Sequence, residues 1–176
     1  MLRTVVVYRS ISGFTRKYAA WIAEDLNADL YDAREVNAEK LSEYDLIIFG
    51  GSLHAVGING IKILKENLPR LADKKIIVFA VGASPPRESI LDEVRNSNFS
   101  EEEQKRLKLF YLRGGFNFSK LDRSNKVLMA LFRVRVSRKK NKTPDEKGML
   151  AAYAKPLDCT RKENTKELIE YAKSLA

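Results

Sequence analysis

The residues able to do chemistry fall in four short loops, each behind an apolar run. The first is Arg9-Ser10-Ile11-Ser12-Gly13-Phe14-Thr15. Hydroxyls at Ser10, Ser12 and Thr15 can donate to phosphate oxygens, and Gly13 lets the backbone approach closely. If a helix opens here, its free amides and dipole point at the same anion. There is no Walker-type lysine and no GxGxxG spacing. The plainer alternative is capping of that helix by Ser12 or Thr15.

The second loop runs from Gly51 to Gly60 and holds Ser52, Leu53, His54 and Gly57. Its glycines mark unusual dihedrals or contact with a flat ligand. His54 is the only histidine. It is either a hydrogen-bonded surface side chain or a group that handles protons beside a ring. No other catalytic group is assigned. The third loop begins Gly82-Ala83-Ser84 and is stiffened by Pro85 and Pro86, and the fourth is Arg113-Gly114-Gly115-Phe116-Asn117-Phe118. With one histidine and one cysteine, a Cys/His zinc site is not expected.

These loops need a scaffold that brings them together. Residues 4–8, 45–50, 75–81 and 107–112 are near-continuously apolar and rich in β-branched or aromatic types. That pattern predicts strands covered on both faces, as in a parallel sheet. A weaker strand is expected at 28–32. Helices are expected at 15–26, 59–68, 86–95 and 162–175, the last with Thr160 as N-cap and Glu163 closing a capping box. Thr143-Pro144-Asp145-Glu146 reads as another helix start. Strand–helix alternation implies an α/β fold of five parallel strands, order 2-1-3-4-5, with helices on both faces. Ligands then bind beyond the carboxyl ends of the strands, at the switch point between strands 1 and 3.

The chain has 176 residues, 44% hydrophobic and 31% charged, which suits a single domain over 1–176. It offers no signal-peptide pattern and no apolar run of spanning length, so a cytoplasmic protein is expected. Charge is uneven. Residues 105–142 hold thirteen basic side chains against one acid, so +12 lies there in a chain whose net charge is +9. Leu121, Leu128, Leu131 and Phe132 form an apolar stripe at helical spacing, with Val127 and Val134 beside it. Such a basic amphipathic stretch, 119–142, suits peripheral contact with the inner face of an anionic membrane. The alternative is a helix packed on the body. Few aromatics interleave 133–142, so nucleic acid is not the expected partner.

Ser10-x-Ser12-Gly13-x-Thr15, together with Tyr44-Asp45-Leu46-Ile47-Ile48-Phe49-Gly50-Gly51-Ser52, resembles a flavodoxin domain over nearly the whole chain. The basic insertion after strand 5, about 113–142, looks like that of the flavodoxin-type, quinone-dependent protoporphyrinogen dehydrogenases. The resemblance implies FMN as cofactor, with its phosphate held by Ser10, Ile11, Ser12, Gly13, Phe14 and Thr15. It places Ser52, Leu53, His54 and Gly57, then Gly82, Ala83 and Ser84, beside the flavin ring. It further implies an oxidoreductase of heme biosynthesis, taking electrons from a porphyrinogen and passing them to a quinone. Leu53 and His54 stand where flavodoxins commonly place an aromatic side chain, which leaves Phe116 or Phe118 to approach the ring. The other reading is a flavodoxin-type electron carrier with no substrate of its own. Flavodoxins are typically acidic, and a basic surface would select acidic partners instead.

Overall fold

The computed structural model describes residues 2–175. Its elements run β1 (Thr4–Arg9), α1 (Phe14–Leu26), β2 (Asp29–Asp32), α2 (Ala38–Ser42), β3 (Leu46–His54), β4 (Gly57–Ile58) and α3 (Lys62–Asn67). Then come β5 (Lys75–Gly82), α4 (Glu88–Asn98), α5 (Glu101–Gln104), β6 (Leu107–Arg113), β7 (Gly115–Phe116), α6 (Arg123–Ser137), α7 (Pro144–Ala154), β8 (Leu157–Asp158) and α8 (Lys166–Ser174). The main sheet is parallel in the order β2-β1-β3-β5-β6. This is the expected 2-1-3-4-5 order, with the short antiparallel strand β4 taking the intervening number.

The strand pattern follows from burial on both faces. Val5, Val7, Ile47, Phe49, Val78 and Ala80 pack into one apolar layer, together with Leu64 of α3 and Val94 of α4. Their neighbours Val6, Ile48, Ile77, Phe79 and Val81 pack into the opposite layer, with Tyr18 and Ile22 of α1 and Leu168 of α8. Each central strand residue therefore meets a helix layer on one side or the other, so the apolar runs are continuous. Trp21, at the edge of the α1 face, packs edge-on against Tyr18 with ring centroids 5.7 Å apart.

The structure departs from the sequence expectation at three places. The helix expected from residue 59 starts only at Lys62, because β3 continues to His54 and turns back as β4. Ala55 takes a left-handed φ of 52° in that turn. Asn98, at the far end of α4, holds the hairpin. Its Oδ1 accepts from Ile58 N–H at 2.9 Å, and its Nδ2 donates to the Val56 and Val94 carbonyls at 2.7 Å.

The second departure is at the last helix. Thr160 is not its cap. Its N–H and hydroxyl both donate to Asp158 Oδ1, at 2.9 and 2.6 Å. That carboxylate, two residues back, captures the groups a capping box would use. A 3-10 turn at Lys162–Thr165 leads into α8, with Arg161 preceding it and no side-chain cap.

The third departure concerns the insertion, which extends beyond 142. Thr143 and Glu146 form the expected capping box, α7 follows, and β8 brings the chain back to pair with β7. Gly115 is required at that pairing, since a Cβ there would lie 2.0 Å from the Leu157 carbonyl oxygen.

Replacing Asn98 with alanine strands the buried Ile58 N–H and Val56 carbonyl. We expect a loss of about 2–3 kcal/mol, measured as a lower urea midpoint with unchanged m-value.

Candidate functional site

The carboxyl ends of β1, β3, β5 and β6 open on one cavity of about 510 Å³. Ser10, Ile11, Ser12, Phe14 and Thr15 line it from the first loop. Ser52, Leu53 and His54 line it from the end of β3, and Gly82, Ala83 and Ser84 from the end of β5. Gly13 and Gly57 do not face it. Gly13 sets the local backbone with a left-handed φ of 91°, and Gly57 pairs with His54 in the hairpin.

The first turn of α1 is polar and unsatisfied. Its N-cap is Gly13, with no side-chain cap and no acidic residue in the first turn. Ser12 and Thr15 thus do not serve as caps. Ser10 Oγ accepts from Gly13 N–H at 3.0 Å and shapes the loop. Thr15 is 1% exposed, and its Oγ1 has no hydrogen-bond partner. Ser52 Oγ, across the switch point, is likewise buried without a partner. Buried hydroxyls are rarely left alone. Two of them line one cavity, at whose edge the uncapped helix α1 begins.

The third loop is held from below. The Tyr111 hydroxyl donates to the Ser84 carbonyl at 2.7 Å, and Gly114 N–H donates to the Gly82 carbonyl at 2.8 Å. Burial pushes the Tyr111 phenol up to about 12, so it stays a donor at neutral pH. The Tyr18 hydroxyl donates to the Arg113 carbonyl at 2.5 Å and accepts from Asn164 Nδ2 at 2.7 Å, which ties α1 to the end of β6. Burial raises the Tyr18 phenol as well.

The far wall comes from the insertion. Leu121, Asn125, Leu128, Met129 and Phe132 face the cavity, with Met149 of α7 beside them. Leu121 precedes α6 in extended backbone, and the spacing of Asn125, Leu128, Met129 and Phe132, i, i+3, i+4 and i+7, is one face of the helix. The stripe expected from the sequence is therefore divided. Leu131 lies on the opposite, outer face with Val127 and Val134, at 65%, 63% and 48% exposure. Asn125, Met129, Met149, Tyr111 and Glu93 line the cavity without having been singled out in the sequence. For Asn125 and Met129 the helical spacing carried the signal. For Met149, Tyr111 and Glu93 nothing local did. Phe116 and Phe118 both pack on Tyr153, but only Phe116 lines the cavity. His54 sits at the hairpin tip, exposed, near Asp122 at the N-cap of α6. Hydrogen bonds from the Asn125 backbone and side chain hold the Asp122 carboxyl below its usual value, with a smaller contribution from His54.

A family model described as the flavodoxin domain matches residues 5–144. The chain belongs to this family. Among solved structures, the flavodoxin domain here is similar to a flavodoxin from the domain Archaea, at 16% identity and TM-score 0.41, over 64% of this chain and 85% of that one. It is also similar to a putative flavoprotein from Bacteroides eggerthii, at 13% identity and TM-score 0.48, over 79% of this chain and 100% of that one. An uncharacterized protein of Methanocaldococcus jannaschii is 37% identical over 54 residues, which is 30% of this chain and 36% of that protein. The chain thus matches about a third of that relative's length. No helix among the described residues is long and apolar enough to cross a membrane.

Thr15→Val removes the orphaned hydroxyl while keeping the shape. We expect the ligand-free protein to gain up to about 1 kcal/mol, seen as a higher thermal midpoint.

Proposed function

We propose that this flavodoxin domain is an FMN-dependent oxidoreductase. The observation that carries the reading is the pair of partnerless buried hydroxyls, Thr15 and Ser52, on a cavity opening at an uncapped helix start. Ser10, Ser12 and Thr15, with the backbone at Ile11, Gly13 and Phe14, would hold the phosphate of FMN. Ser52, Leu53 and His54 would flank the ring on one side, with Gly57 supporting their turn, and Gly82, Ala83 and Ser84 on the other. When bound, FMN supplies two-electron redox chemistry.

The insertion favours an enzyme over a carrier. A carrier must present its flavin edge to a protein partner. Here Leu128, Met129, Phe132 and Met149 wall the cavity and would exclude a protein surface while leaving an apolar pocket for a small molecule. In this reading the donor is a porphyrinogen and the acceptor a quinone. Each turnover takes two electrons and two protons from the donor and ends with both on the quinone, as quinol. His54, at the mouth, would exchange protons with solvent. Cations of 119–142 would pair with the donor's carboxylates. The outer face of α6, with Val127, Leu131 and Val134 among those cations, would rest on an anionic bilayer from which quinone enters.

Added FMN should give a flavin absorbance spectrum that survives gel filtration. T15V should weaken FMN binding about tenfold or more, the range for a hydrogen bond to a charged group. Porphyrin fluorescence should then develop from protoporphyrinogen only with quinone present. Bound FMN with no porphyrin formation, but electron relay to an acidic protein, would assign the carrier role instead. V127D/L131D should reduce sedimentation with phosphatidylglycerol vesicles, and unchanged sedimentation would remove the membrane from this reading.

A further inference from the structure

The helical hairpin α6–α7 is attached to the body apart from the two apolar layers of the sheet. Neither apolar layer of the sheet contains a side chain from α6 or α7. The hairpin instead coheres with itself. Val136 of α6 and Ala152 of α7 are buried, the Tyr153 hydroxyl donates to the Met129 carbonyl at 2.6 Å, and at the base the Tyr153 ring packs on Phe116 of β7 and on Phe118 at 5.0 and 5.3 Å. Lys139 pairs with Glu146 across the turn. At its base the short β7–β8 pair joins it to the domain, with Cys159 N–H donating to the Gly114 carbonyl at 2.8 Å.

At the top of α7, Asp145 pairs with Arg87, which follows the two prolines of the third loop. Among the described residues this is the one side-chain ion pair or hydrogen bond between α6–α7 and the body. Both partners are about half exposed, at 52% and 42%. Such a pair is weak in water and screened by salt. Beneath it lies the 510 Å³ cavity, a size suited to one drug-sized ligand. On the reading that the cavity takes FMN, the hairpin covers the approach by which a second flat molecule would reach the ring.

We propose that α6–α7 is a lid, hinged at β7–β8 and latched by Arg87–Asp145. Breaking the latch lets the hairpin swing as a unit, because its internal contacts are independent of the sheet. Leu121, Leu128, Met129, Phe132 and Met149 then leave the cavity together. The lid controls exchange of whatever ring system occupies the site and admits the second reactant, a step typical of active-site closures.

The test uses the whole 176-residue chain, with R87E, D145R and the R87E/D145R swap. The first readout is amide hydrogen exchange on FMN-free protein. R87E should speed exchange across α6 and α7 and leave α1 unchanged, and the swap should restore protection. The second readout is FMN dissociation at low salt. R87E should raise its rate about two- to fivefold, as expected for an exposed pair, and high salt should bring wild type toward the variant. A third variant, R87C/D145C in a C159S background, is joined by a bismaleimide. The closed link should slow FMN exchange at least tenfold. Unchanged hydrogen exchange in R87E, or free FMN exchange through the linked lid, would overturn the proposal. If FMN fails to bind at all, the proposed function falls, and hydrogen exchange alone decides whether the lid exists.

Discussion

Parallel pairing of β1, β3, β5 and β6 is the constraint from which the rest follows. Strands that run the same way can be joined only by crossovers, so every strand must be followed by a loop at the same edge. The loops after Arg9, His54, Gly82 and Arg113 therefore meet although they are far apart in sequence. The same pairing buries each strand on both faces and leaves no room in the sheet for polar chemistry. Function is displaced to the edge, where α1 begins and its amides point outward.

That edge is kept polar at a cost to the folded chain. A buried hydroxyl without a partner destabilises, and Thr15 and Ser52 both carry that burden. The surrounding contacts hold the arrangement in place. Tyr18 braces α1 against β6 and Asn164, Tyr111 props the third loop, and Asn98 pins the β3–β4 hairpin. Each brace is a polar side chain satisfied by backbone groups of another element. The braces leave two unmet hydroxyls between fixed walls.

The insertion adds what the parallel sheet cannot. Its cations and outer apolar face are exposed, while its inner face closes the cavity. A domain of this fold without such a hairpin would leave the site open to protein partners. With it, the site is bounded by Met and Leu side chains that conform to varied shapes. One helix thus serves two environments, and its two apolar faces are about half a turn apart.

The strands, their order, the loop at Ser10–Thr15 and the helix start at Thr143 were legible in the sequence. Continuous β-branched runs have only one well-buried arrangement, and capping residues act on amides within their own turn. Other features depended on partners distant in the chain. Asn98 converts the expected loop at 57–58 into a strand, and Asp158 takes the groups that would have made Thr160 a cap. Leu128 and Leu131 look alike in the sequence, yet Leu128 lines the open cavity, at 45% exposure, and Leu131 does not line it, at 65%. Local composition determined that α6 is amphipathic and basic. Only the tertiary structure decided which face turns inward, because β7–β8 pairing and the Arg87–Asp145 contact set the hairpin's position on the domain.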